Sequence, residues 1–273
     1  MLLADAPVRP LGPADLTACL DLGADRDWPR EHRKWSILLD VGRGFGIDAP
    51  DGDGLAATSI LVETGPVASI SMVVVASRYG RQGLGGRVTS HAVGAAGDTT
   101  VFLHASSLGQ RLYESLGFVV DGGCEGHLGT LADDGGPAAR PITPADVARV
   151  YELDALAQGF PRRALLDRLL FEAEHVHVTD DGFALGTVLD GVTVIGPVVA
   201  PSEDEAKALV RGIARATGGP IRVDVDFAHA GLSDWCRASG LLPVGPAPRL
   251  VHGGKALPGL AERRFAPYNR ALG

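Results

Sequence analysis

Gly83, Gly85 and Gly86 stand close together after Arg81 and Gln82, behind an apolar run at residues 71–76 and ahead of a helix-compatible stretch at residues 87–95. With no Cβ atoms in the way, the backbone N–H groups of such a turn can close on an anion, and the helix that leaves it points its positive end at the same charge. The spacing therefore reads as a phosphate cradle, with a tight strand-to-helix bend as the plain alternative. Other chemistry-bearing residues point less far. His175 and His177 share one face of an expected strand, but no third ligand accompanies them, so no metal site is expected. Cys19, Cys124 and Cys236 are odd in number and widely spaced, which argues against disulfides and zinc. Asp224 and Asp226 alternate along a strand, where solvent exposure is the expectation.

The elements that would hold the turn can be read in order. Helical patterning covers residues 14–22 and again residues 31–39. Residues 45–48 and 55–63 flank the turn Asp51-Gly52-Asp53-Gly54 as a hairpin, and residues 67–75 form the β-branched strand that enters the glycine turn. Residues 100–105 make another strand, residues 108–116 a short helix stopped by Gly117, and Phe118 opens the last strand pair.

Composition bounds the function. At 273 residues with 45% hydrophobic content and mean hydropathy +0.13, the chain can bury the cores of two ordinary domains. A net charge of −8 argues against a nucleic-acid or anionic-membrane partner and suits a cationic acceptor. Neither a basic-then-apolar leader nor an apolar run of bilayer length is seen, so a cytoplasmic protein is expected. Only Lys34, Lys207 and Lys255 among the 25 basic residues are lysines, which reads as coding bias.

Arg9-Pro10-Leu11-Gly12-Pro13-Ala14-Asp15-Leu16 returns as Arg140-Pro141-Ile142-Thr143-Pro144-Ala145-Asp146-Val147 about half a chain later, and Trp28-Pro29-Arg30 is echoed by Phe160-Pro161-Arg162. Two related domains are expected, at residues 1–131 and 140–273, joined by the Asp/Gly/Pro-rich residues 132–139.

The strand, glycine turn and helix, followed by Val101-Phe102-Leu103-His104-Ala105 and then by Leu112-Tyr113-Glu114-Ser115-Leu116-Gly117-Phe118, resemble the GNAT N-acetyltransferase superfamily over residues 8–130. The second half resembles a diverged copy. This resemblance implies an α/β fold of two tandem GNAT-like domains, each a mixed, mostly antiparallel twisted sheet flanked by helices. It also implies acetyl-CoA, or another acyl-CoA, as co-substrate. Arg81, Gln82, Gly83, Leu84, Gly85 and Gly86 would hold the pyrophosphate through backbone N–H groups, with Arg78 and Arg87 adding charge nearby. Val73, Val74 and Val75 would lie along the pantetheine arm on a strand splayed from its neighbour, and Ser106 takes the place of a cofactor-contacting asparagine. Tyr113 matches the tyrosine that protonates the leaving thiolate. The chain departs from the family pattern at Gly80, where Gln or Arg is usual, and at Ser77, where proline is common.

In the second half the glycines give way to Pro201-Ser202-Glu203-Asp204-Glu205, whose carboxylates satisfy a helix N-terminus and repel a pyrophosphate, and Cys236 replaces the tyrosine. One cofactor site per chain is expected, in the first domain. The expected reaction is direct acyl transfer to an amine, preferably of a small molecule, with no metal. A non-catalytic acyl-CoA sensor that keeps the fold is the alternative. Trp28, Trp35, Phe160, Asp224, Asp226 and His229 are candidates for the acceptor pocket; Glu63, His127 and Asp226 are possible general bases, with a water chain as the alternative, and the sequence selects none of them. No residue pattern specifies the acceptor or the oligomeric state.

Overall fold

The structure is a computed structural model, and it describes residues 6–272. The chain divides into two compact units. The first runs to Val119 and also takes in Leu250–Lys255 and Leu272; the second comprises Val120–Arg249 and Ala256–Ala271.

The first unit begins with β1 (Arg9–Leu11), followed by the helices α1 (Leu16–Ala24) and α2 (His32–Val41). The repeated Arg-Pro-x-x-Pro-Ala-Asp signature has a local cause here. Asp15 accepts the Gly12 N–H at 2.9 Å and the Arg9 guanidinium at 2.9 Å, so one carboxylate caps the turn that Pro13 starts and anchors it to β1. Then come β2 (Arg43–Asp48), β3 (Leu55–Thr64) and β4 (Val67–Val75), followed by α3 (Leu84–Ala96), β5 (Thr100–His104), α4 (Gln110–Ser115) and β6 (Phe118–Gly129), the last passing into the second unit. The sheet order is β1-β2-β3-β4-β5, antiparallel up to β4 and parallel between β4 and β5. Ile70, Ala92, Val101, Leu103, Tyr113, Phe118 and Leu250 form one buried cluster, and Ile47, Ala57, Leu84 and Val88 another.

The second unit repeats that order: β7 (Arg140–Pro141), α5 (Val147–Gln158), α6 (Arg163–Glu172), β8 (His175–Val178), β9 (Phe183–Leu189), β10 (Val192–Val199), α7 (Glu203–Thr217), β11 (Ile221–Asp226), α8 (Ala230–Ala238) and β12 (Leu242–His252). A short β13 (Arg264–Ala266) follows. Asp146 repeats the role of Asp15, accepting from the Thr143 N–H at 2.8 Å and from Arg140 at 2.7 Å. That Arg140 bond holds the Asp146 carboxyl below the usual carboxylate range. The strands run β12-β6-β11-β10-β9-β8-β7, with β13 on β10. Here too only β10 and β11 pair in parallel among the ladders described, so the sheet is mixed and mostly antiparallel, as the sequence implied. Residues 132–139 have no regular structure but are tied down: Asp134 accepts two bonds from Arg211 at 2.6 Å and one from the Trp235 indole at 3.1 Å.

Candidate functional site

β4 brings the site residues into place by breaking its own regularity. Its ladder with β5 comprises three pairs, Val67 to Ser69 against Thr100 to Phe102, and ends there. On the other side its register with β3 shifts between Thr58 and Ile60. At that bulge Met72 takes a left-handed φ of 50°, and its carbonyl accepts from Thr58 Oγ1 at 2.9 Å. Beyond the bulge Val74 is buried, while Val73 and Val75 are half-buried and pack toward Leu84 and Val88. The three valines therefore lie on the stretch that has left the parallel ladder.

After a single 3-10 turn at Ser77–Tyr79 the chain enters the glycine turn. Arg81 is left-handed at φ 59°, and Gly83, at φ 77°, is the N-cap of α3. Four non-glycine residues among those described have positive φ, and two of them are Met72 and Arg81, which bracket the end of β4 and the turn. Strain of this kind collects where a backbone is shaped for a ligand. Among the described residues no backbone carbonyl accepts the N–H groups of Arg81 through Gly86; the first such bond runs from Arg87 N–H to the Gly83 carbonyl at 3.1 Å. Six backbone donors therefore stand unpaired by backbone carbonyls at the positive end of a 13-residue helix.

Helix α3 starts at Leu84, earlier than the expected residue 87, so Gly85 and Gly86 belong to its first turn rather than to the loop. Their role follows from that position. A Cβ on Gly85 would stand 3.2 Å from Leu112 Cδ2 and 3.5 Å from Val75 Cγ2, so the missing side chain lets the helix start sit against β4 and α4.

The two flanking arginines turn elsewhere. Arg78 donates to the Asp53 carbonyl at 2.7 Å and pairs with Asp51 at 3.4 Å, and Arg87 reaches the Ala6 carbonyl. Arg81 and Gln82 are exposed on the turn itself. Ser106 has a local task, accepting the Gly109 N–H through Oγ at 3.2 Å at the start of α4. The departure at Ser77 also has a cause. Asp25, at the end of α1, accepts both the Ser77 N–H at 2.5 Å and the Ser77 hydroxyl at 2.8 Å. The backbone bond is the larger reason its carboxyl lies below the usual range. Proline has no N–H to give, so this link across 52 residues needs a non-proline residue. Sequence reading passes over Asp25; Ser77 standing where proline is common is the one trace of it.

Tyr113 is 9% exposed, its ring edge-on to Phe118 at 6.0 Å between centroids. Its hydroxyl has no hydrogen-bond partner among the described residues, and burial pushes its pKa up to about 12. Burial is also the largest cause at the Cys236, Cys19 and Cys124 thiols, all three of which are pushed up to about 12.

The remaining candidates separate. Trp35 is 1% exposed and part of the core, whereas Trp28 is 40% exposed and Phe160 is half-buried. Asp224, expected in solvent, is 2% exposed because Arg222 and Arg270 both donate to it, at 3.0 and 3.1 Å. Asp226 pairs with Arg249 at 3.2 Å. His127 is fully buried against Ser233 Oγ at 3.1 Å, and desolvation lowers its pKa. Glu63 pairs with Arg43 at 2.8 Å and lies opposite Ala68, at the far end of β3 from the bulge. His229 is buried and stacked on Phe265 at 3.7 Å. No group of three or more His, Cys, Asp or Glu suited to a metal occurs among the described residues, and no helix there is long and apolar enough to cross a membrane.

Comparison with known proteins agrees with this architecture. Residues 150–266 match the acetyltransferase (GNAT) domain family, in the half whose glycine turn is lost. The chain is 26% identical to the uncharacterized N-acetyltransferase YitH of Bacillus subtilis, over 94% of this chain and 95% of that one. In fold it is similar to a putative acetyltransferase from Pyrococcus horikoshii, with a TM-score of 0.82 at 20% identity over 98% and 95% of the two chains. It is also similar to a tandem GNAT protein from the clavulanic acid biosynthesis pathway, with a TM-score of 0.64 at 15% identity over 92% and 100%. With the splayed β4, the glycine turn and the repeated element order, these likenesses show that the chain has the fold of the GNAT acetyltransferases and is similar to them in sequence.

Proposed function

We propose that the chain is an acetyl-CoA-dependent N-acetyltransferase that works from the first unit and passes the acyl group directly to the amine of a small molecule. The observation that carries this reading is the run of backbone N–H groups from Arg81 to Gly86, strained at Arg81 and without backbone acceptors among the described residues, at the head of α3. That donor set fits a pyrophosphate, and Gly83, whose Cβ position meets nothing within 4 Å, leaves room for it, while Gly85 lets the helix start sit close against β4 and α4.

A bound acyl-CoA would supply an activated acyl carbon and a thiolate leaving group, so transfer to an amine forms a C–N bond, breaks a C–S bond, releases one proton from nitrogen to solvent and requires one proton at sulfur. The chain's own residues would do the rest. Residues 81–86 anchor the phosphates, and the backbone of Val73 and Val75, past the bulge, orients the arm. Tyr113 keeps its proton at neutral pH and holds it in a desolvated place, which suits a donor to sulfur and has no use in a mere sensor. The acidic surface charge favours an amine acceptor over a nucleic acid.

A calorimetric titration of the whole chain with acetyl-CoA tests the reading. One site of micromolar affinity, roughly −8 kcal/mol, followed by release of free thiol in the presence of amines is the expected result. Absence of binding by the folded protein refutes it.

A further inference from the structure

The second unit repeats the ladder geometry on which the cofactor site rests, but with a different ending. β10 and β11 share three parallel pairs, Thr193 to Ile195 against Ile221 to Val223, just as β4 and β5 share three. β10 then loses register with β9 between Ile195 and Val198, as β4 does with β3. The corresponding stretch of β4 is the one assigned above to an extended, amide-bearing arm. Along β10 that place is taken by protein: β13 pairs antiparallel with Val198 and Val199, and the Ala200 N–H donates to the Arg263 carbonyl at 3.1 Å.

We propose that β13 is a built-in substitute for the pantetheine arm, so that the cleft of the second unit is filled by the chain's own C-terminal strand and takes no acyl-CoA. The inference rests on the function proposed for the first unit. It reaches beyond that function by assigning an occupant to the second cleft.

Three features show a cleft shaped for this strand. First, a Cβ on Gly196 would stand 2.0 Å from the Pro267 carbonyl oxygen and 2.8 Å from that of Tyr268. Both are backbone atoms that cannot swing aside, so β10 carries glycine where the C-terminal segment crosses it. Second, the segment is anchored as core. Phe265 is 2% exposed and stacked on His229, Ala266 and Tyr268 are 3% exposed, and the Tyr268 hydroxyl donates to Thr187 Oγ1 at 3.3 Å. Third, the helix that would face a pyrophosphate has its own cap. Ser202 Oγ accepts the Glu205 N–H at 3.4 Å, and Glu203, Asp204 and Glu205 occupy the first turn. An extended ligand pairs with an exposed strand edge through alternating amides, whether it is a peptide or an arm carrying its own amides. β13 makes such pairs permanently, and Phe265 adds an apolar anchor that an arm lacks.

Amide hydrogen exchange on the full chain, with and without desulfo-coenzyme A as a non-reacting probe, tests the proposal. Without probe, the amides of Val199, Ala200, Phe265 and Ala266 are expected to exchange about a thousandfold slower than free peptide, on the level of the unit's core strands. With saturating probe their exchange stays unchanged while residues 81–86 become protected, and the stoichiometry is one per chain. Loop-like exchange at β13 in the free protein overturns the proposal, as does probe-dependent exchange there or a stoichiometry of two. Failure of the probe to bind, with β13 still protected, leaves the filled cleft standing and overturns the function proposed for the first unit. Gly196→Ala adds a second reading: its methyl group should speed exchange at Val199 and Ala200 at least tenfold, and unaltered exchange speaks against the close fit.

Discussion

Tyr113→Phe isolates the proton donor from everything else the residue does. The ring is packed beside Phe118 and buried with Ile70, Leu103 and Leu250, and phenylalanine keeps all of that. The hydroxyl has no hydrogen-bond partner among the described residues, so its removal leaves no orphaned group, and stability should change by no more than about 0.5 kcal/mol. What is lost is the proton held for sulfur. Loss of a positioned acid typically lowers the rate 10²- to 10⁴-fold, about 3–5 kcal/mol of barrier. Because burial holds the phenol at about 12, it stays protonated throughout the assay range, and the rate loss should be the same from pH 6 to pH 9. The assay is stopped-flow detection of free thiol at saturating acetyl-CoA and amine, paired with calorimetric binding. The expected result is a kcat lower by at least two orders of magnitude with acyl-CoA affinity changed less than threefold. A kcat within twofold of the parent, or a loss confined to affinity, refutes the assignment.

Other expectations follow from individual contacts. Gly85→Glu should abolish acyl-CoA binding in calorimetry, whereas Gly85→Ala should weaken it only several-fold, because its Cβ meets the flexible end of Leu112 at 3.2 Å. Ala76 already has φ −54° and ψ 139°, the geometry a following proline asks for, so Ser77→Pro should fold normally; an NMR titration should then find Asp25 back in the ordinary carboxylate range. In the second unit Arg162 and Asp154 form a buried pair joined by three hydrogen bonds, the shortest at 3.0 Å; Asp154→Ala should cost about 3–5 kcal/mol in urea unfolding, by stranding the guanidinium. His127, His177 and His229 all have pKa values lowered by burial. The unfolded chain therefore takes up protons below about pH 6.5 while the folded chain resists them, so stability present at pH 7.5 should decline toward pH 5.5, and His127→Gln should flatten that decline.

Much of the site was legible because it depends on neighbours in sequence. A β-branched strand, clustered glycines and a helix start are local signals, and the repeated Arg-Pro-x-x-Pro-Ala-Asp signature names its own contact, a carboxylate capping the turn three residues back. What escaped depends on partners far along the chain. Nothing near Asp25 announces Ser77, and three residues, Arg264 to Ala266, are too few to show a strand period. Asp224 misled for the same reason: alternation along β11 suggests a wet face, and only Arg222 and the distant Arg270 make burial tolerable. The start of α3 moved because a left-handed glycine at position 83 serves as its cap, which composition alone does not decide.

The return of Leu250–Lys255 to the first unit has a consequence for synthesis and engineering. Leu250 is fully buried in the cluster that contains Tyr113 and Phe118, and the Gly253 N–H closes on the Gly117 carbonyl at 2.9 Å. A nascent chain that has emerged only as far as residue 131 lacks a piece of its own first core and cannot finish it until more than 100 further residues have left the ribosome. Folding therefore cannot proceed one repeat at a time from residue 1 onward, and the stretch carrying the glycine turn waits on residues 250–255. A fragment cut at the sequence repeat would expose the surface that Leu250 covers and aggregate, whereas a shortened chain with residues 250–255 linked after residue 119 would carry nearly the whole first unit in one piece.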